Sequence, residues 1–167
     1  GLSFRPPAID PAAPDNGYHW PDSHLFAAQF MENIQKTVVE LRKALNIHED
    51  RIYLAATGSG CSMATKLLLK APHFFAGAAL LNGNFSDKDF QKTAGASLKK
   101  NRVLLDRRST AQSDSKHSAQ WLGRMWETTG ADIQTVNSLK TETTQESELF
   151  SLLDRWIMEG ISIAWLV

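Results

Sequence analysis

The amino-acid sequence predicts an α/β fold, a three-layer α/β/α sandwich around a mostly parallel sheet. Short apolar runs of strand length alternate with stretches of helical period at a spacing of about 10–15 residues, which implies a parallel sheet with helices on both faces. A glycine-rich corner, TGSG at positions 57–60, joins one strand-like run directly to one helix-like run. The chain has 167 residues, 18 of them basic and 18 acidic, which suits one domain able to bury most of its surface without a staple.

Residues 1–22 carry five of the six prolines together with Asp10, Asp15, Asn16 and Gly17, so they read as an extended lead-in. Within it only residues 2–5 have the character of a strand's tail. Over 23–45 the apolar residues Phe30, Ile34, Val38, Leu41 and Leu45 recur on one helical face, with Asp22 or Ser23 available as N-cap. A short apolar strand follows over 51–56 and ends at the corner. Residues 62–71 read as a helix stopped by Pro72, and 75–81 as a second strand ended by Asn82 and Gly83. Residues 84–100 are polar and ambiguous. A third strand is expected over 102–105, a helix over 115–129 with Leu122, Met125 and Trp126 inward and Gly130 as C-cap, and a fourth strand over 131–136. The closing helix, 147–158, has an apolar side of Leu149, Leu152, Leu153, Trp156 and Ile157, and the tail ISIAWLV either extends it or packs separately. Residues 23–167 thus form the domain. Four strands make a narrow sheet whose first strand would present an unpaired apolar edge.

Charge balance and the lack of a basic cluster interleaved with aromatics argue against nucleic acid as a partner. The single cysteine, Cys61, rules out an internal disulfide and leaves the compartment open. No apolar run reaches the roughly 18 residues that span a bilayer, and the start shows no basic-then-apolar leader. A soluble protein is expected. His19, His24, His48, His73 and His117 fall at no metal-binding spacing, so no metal or other cofactor is expected.

The stretch DRIYLAATGSGCSMATKLLLKAPHFFAGAALLNG resembles the nucleophile-elbow region of α/β-hydrolases, above all the phospholipase/carboxylesterase and dienelactone-hydrolase-like serine esterases. GYHWPDS with the helix after it resembles the segment before the elbow. NRVLLDRRSTAQSDSKHSAQWLGRMWETTGADI resembles the late strand, acid loop and helix. The resemblance spans residues 17–158 and implies an α/β-hydrolase fold whose earlier strands, with an oxyanion loop, precede this region. It implies as well that those early strands are absent here. The open edge would then be covered by a missing N-terminal segment or by a homo-oligomer.

An elbow needs a serine on a strained turn, small flanking residues, and a backbone N–H as oxyanion donor. In the family's frame Ala56 and Gly60 take small positions, Gly58 takes the nucleophile's place, and Thr110 lies near the acid's. No histidine follows His117 to act as base. The resemblance therefore implies a carboxylesterase-like domain that has lost serine-esterase catalysis and binds a ligand or partner, a small ester or an anion near Gly58, Ser59 and Gly60.

Other readings compete at each residue. Ser59 is the alternative nucleophile if the elbow is shifted by one residue, or else the N-cap of the following helix. Cys61 resembles the dienelactone-hydrolase nucleophile but lies three residues beyond that slot, and reads better as a small buried apolar residue. The glycines match no phosphate-loop pattern. Asp106, Arg107 and Arg108, at a strand's C-terminal end, could hold a carboxylate or phosphate, or form a solvated loop. His19 and Trp20 either line a pocket or, as we favour, Trp20 packs on the first helix. A third functional alternative is an interaction module that docks another chain through the open sheet edge.

Overall fold

The structure, a computed structural model, describes residues 20–21, 24–48, 51–90, 97–106, 110–111, 119–136 and 146–164. All of the lead-in except Trp20 and Pro21, together with His19, Arg107, Arg108, His117 and the expected gap in the base position over 137–145, lies outside the described residues.

In chain order the elements are α1 (His24–Arg42), β1 (Tyr53–Thr57), α2 (Gly60–Lys70), β2 (Gly77–Leu81), β3 (Asn84–Phe85), α3 (Asp87–Phe90), β4 (Arg102–Asp106), β5 (Thr110–Ala111), α4 (Ala119–Thr129), β6 (Asp132–Val136) and α5 (Glu146–Ala164). The four predicted strands are β1, β2, β4 and β6. They form one sheet in the order β1-β2-β4-β6, and every pairing is parallel. The ambiguous 84–100 segment contains β3 and α3, too short to leave a periodic signal. β3 pairs in parallel with β5, Asn84 beside Thr110, as a separate two-stranded ribbon. The apolar tail extends α5 as far as Ala164.

Strand alternation sorts the core into two faces. Leu54, Ala56, Ala78, Leu80, Val103, Leu105 and Ile133 point to one face, where α1, α2 and α4 supply Ile34, Val38, Leu67, Leu68, Leu122 and Trp126. Tyr53, Ala79, Leu104 and Val136 point to the other, where α5 supplies Leu153, Trp156 and Ile157. Residues with a period of two on the strands and 3.6 on the helices can meet in only this layered way. All four C-terminal strand ends lie along one edge of the sheet, with the glycine corner at the end of β1.

Two close approaches fix the register at the opposite edge. Arg102 Nη1 donates to the Trp156 carbonyl at 2.6 Å, and its guanidinium lies 5.1 Å from the centre of the Trp156 ring. Gly160 leaves room for that guanidinium, which a β-carbon would strike. Gly77 pairs with Arg102 across β2 and β4, and a β-carbon there would land on the Arg102 carbonyl oxygen. Backbone cannot swing aside as a side chain can. Gly77→Ala is therefore expected to destabilise the fold by about 2–4 kcal/mol, seen as a lower urea midpoint with an unchanged slope. An unaltered midpoint would show that β2 and β4 can re-space.

Candidate functional site

The corner is built by a chain reversal that must turn β1 into α2 within two residues. Gly58 makes it with φ +54°, a conformation that side chains other than glycine's adopt at a cost. Its N–H donates to the Leu81 carbonyl at 3.2 Å, and its own carbonyl accepts the Cys61 N–H at 3.2 Å. A β-carbon on Gly58 would meet nothing within 4 Å, so the apex opens to space. Ser59 is exposed, has helical backbone angles of −65° and −20°, and makes no side-chain capping bond. The expected serine cap is not formed: with Ser59 already helical, its hydroxyl is not placed over the free N–H groups of the first turn. The left-handed apex is thus Gly58, while Ser59 is the next residue, already within the helical geometry.

The flanking positions are as tight as a strand-to-helix corner requires. Gly60 faces Ala56, with 3.6 Å between the Ala56 β-carbon and the place where a Gly60 β-carbon would lie. Trp20 Nε1 would be 3.5 Å from that same point. The Trp20 ring also packs at 5.1 Å on Phe30 and at 6.3 Å, edge-on, to Phe26, both on α1. Trp20 therefore joins the first helix to the corner. Of the three expected oxyanion donors, Gly58 spends its N–H on Leu81. Ser59 and Gly60 stand at the start of α2, where N–H groups have no acceptor within the helix.

Cys61 lies fully inside. Its thiol hydrogen faces the carbonyl oxygens of Ala56 at 3.4 Å and Leu81 at 3.5 Å. Gly83 presses against it, and a β-carbon at Gly83 would come within 2.7 Å of the sulfur. Burial pushes the thiol from its ordinary 9.0 up to about 12; the Leu81 backbone lowers it, and the Asp106 charge raises it again. A nucleophilic thiol needs the opposite environment.

Asp106, at the end of β4, is 1% exposed. Its carboxylate accepts the Asn82 N–H at 3.2 Å, where Asn82 itself holds a positive φ of 48°. Buried there, this carboxylate fixes the turn after β2, while the neighbouring Arg107 and Arg108 lie outside the described residues. Sequence reading missed this use, and missed Gly83, because both depend on contacts between residues more than 20 positions apart. Thr110 opens β5, with its backbone paired to Asn84. Among the described residues no group of histidine, cysteine, aspartate and glutamate could hold a metal ion. No described helix is long and apolar enough to cross a membrane.

By sequence, no protein family matches the chain and no curated protein does. Solved structures do match by shape. The carboxylesterase of Bacillus cereus superposes with a TM-score of 0.60 at 12% identity, over 93% of this chain and 73% of that one. A variant of SOBER1 from Arabidopsis thaliana gives 0.55 at 14% identity, over 84% of this chain and 67% of that one. The chain has the α/β-hydrolase fold. At this identity the likeness concerns architecture alone.

The Cys61 environment makes a pH-dependent prediction. A neutral thiol favoured in the folded state contributes stability that is complete below the unfolded value and is lost as pH rises toward the folded one. Between its ordinary 9.0 and about 12, the parent is expected to lose stability that a Cys61→Ala variant keeps. Urea midpoints taken through that range for both proteins measure the difference, and parallel curves would contradict the burial of the thiol.

Proposed function

We propose that this chain is a carboxylesterase-like α/β-hydrolase domain without serine-esterase catalysis, which uses the elbow to bind a ligand or partner. The observation that carries this reading is Gly58: the left-handed apex of the corner, where an elbow presents its nucleophile, bears no side chain. The neighbouring candidates support it. Ser59 has left the apex for the helix, and the Cys61 thiol is raised to about 12. A fold needs its core and not its triad, so such a domain keeps its shape after its chemistry is gone.

The ligand class follows from what the corner offers. The start of α2 presents N–H groups of Ser59 and Gly60 and a favourable helix-end potential to an ester carbonyl or a small anion, with the Trp20 ring alongside. A working esterase that uses Ser59 is the competing reading, and a serine-directed fluorophosphonate separates the two. We expect no covalent adduct on the folded protein, and no difference between parent and Ser59→Ala in p-nitrophenyl acetate hydrolysis above background. An adduct on Ser59, with turnover lost in the variant, would overturn the proposal.

One further test isolates the apex. Gly58→Ser would place a hydroxyl in open space at a backbone cost of about 1 kcal/mol. The variant is expected to fold and still show no esterase turnover, because a serine without a base is a poor nucleophile. Turnover above background in the variant would show that a functional acid and base are present.

A specific observation favours a second reading, association through the sheet edge. Among the described residues β1 pairs with β2 alone, and Ala55 and Thr57 on it are exposed. The occupant we propose under this reading is a second copy of the chain. Sedimentation across a range of concentrations would show a dimer, and a constant monomer mass would overturn it.

A further inference from the structure

Beside the elbow, the chain leaving β2 folds back over α2 and carries a charged group into the interior. Lys66 of α2 and Asp89 of α3 form an ion pair with Nζ and Oδ1 3.1 Å apart, and their side chains are 3% and 1% exposed. Ser62, one turn before Lys66 on the same face of α2, donates to Asp89 Oδ1 at 2.6 Å. Lys66 Nζ also donates to the Ser62 hydroxyl at 3.3 Å. The second carboxylate oxygen accepts the Ser86 N–H at 2.9 Å, and the Asp89 N–H donates back to the Ser86 carbonyl at 3.0 Å. Both carboxylate oxygens are engaged. Lys66 donates to Ser62 and pairs with Asp89, so the three side chains tie α2 to α3.

We propose that Ser62, Lys66 and Asp89 form a clasp that closes residues 82–90 against α2 and makes them a separate opening unit beside the elbow. Besides the pairing of β3 with β5, the segment has a distinct anchor at each end. At its start, Asn82 is held by Asp106 and Gly83 lies against Cys61. At its far end the clasp is the polar tie to α2, while Phe85 and Phe90 fill the space between. Buried charges need each other: removing one leaves the other desolvated and unpaired, whereas removing both leaves no unpaired charge, only the Ser62 hydroxyl and Ser86 N–H without their carboxylate. Loss of one partner should therefore release this segment before the parallel sheet, whose backbone ladder does not depend on it. The clasp stands independently of any ligand at the elbow.

Amide hydrogen exchange on the full chain tests this. In Lys66→Met, peptides covering 82–90 should exchange faster on the order of a hundredfold, while β2 and β4 stay close to the parent. The double variant Lys66→Met/Asp89→Leu, which leaves no unpaired charge but strips the acceptor from Ser62 and Ser86, should recover part of the lost protection. Faster exchange of segment and sheet together, or no change in 82–90, would overturn the proposal. Should Lys66→Met not fold, Ser62→Ala removes one hydrogen bond and no charge. It should speed exchange of the same peptides about fivefold with the sheet unchanged, and unchanged exchange there would equally overturn the clasp.

Discussion

The contact on which the site depends is the one between the end of β2 and the start of α2. The Leu81 carbonyl accepts the Gly58 N–H, and Gly83 lies against the Cys61 sulfur. Gly83 clears the crossing, where a β-carbon would strike Cys61, and Gly58 supplies the left-handed turn at the corner. Everything at the edge inherits this crossing. It sets the positive φ of Gly58, seals Cys61 away from water, and aims the first turn of α2 at the surface.

The buried carboxylates show how the same edge is stiffened. Asp106 secures the turn that leaves β2, and Asp89 secures the short helix that follows it. Both lie almost wholly inside. Carboxylates so buried are tolerated because backbone N–H groups, and for Asp89 a lysine, replace their water. Acidic residues at this edge of a sheet invite a catalytic reading; what the structure shows for these two is burial and the partners that hold the turn and the short helix.

The opposite edge is organised by one cation. Arg102 reaches from the beginning of β4 to a carbonyl in the middle of α5, lies on the Trp156 ring, and needs Gly160 to fit. On that face α5 is the helix that covers the sheet, through Leu153, Trp156 and Ile157 against Tyr53, Ala79 and Leu104. The first face is thicker, with four helices contributing to its cluster. This asymmetry leaves Ala55 and Thr57 of β1 exposed while the strands further in are covered.

Much of the fold was written locally. Apolar period fixed α1, and the alternation of short runs with helices fixed β1, β2, β4 and β6 and their parallel arrangement, because one face of each element has to be buried. The family resemblance implied glycine at the nucleophile's place, and the structure shows that Gly58 turns the chain there with φ +54°. Pieces shorter than a turn or two, β3, α3 and β5, left no period to read. The inward turn of Asp106, the thiol pressed by Gly83, and the pairing of Lys66 with Asp89 were decided by tertiary structure alone. A residue's polarity says that it needs a partner, but which partner it finds depends on chain segments that meet only after the sheet has formed.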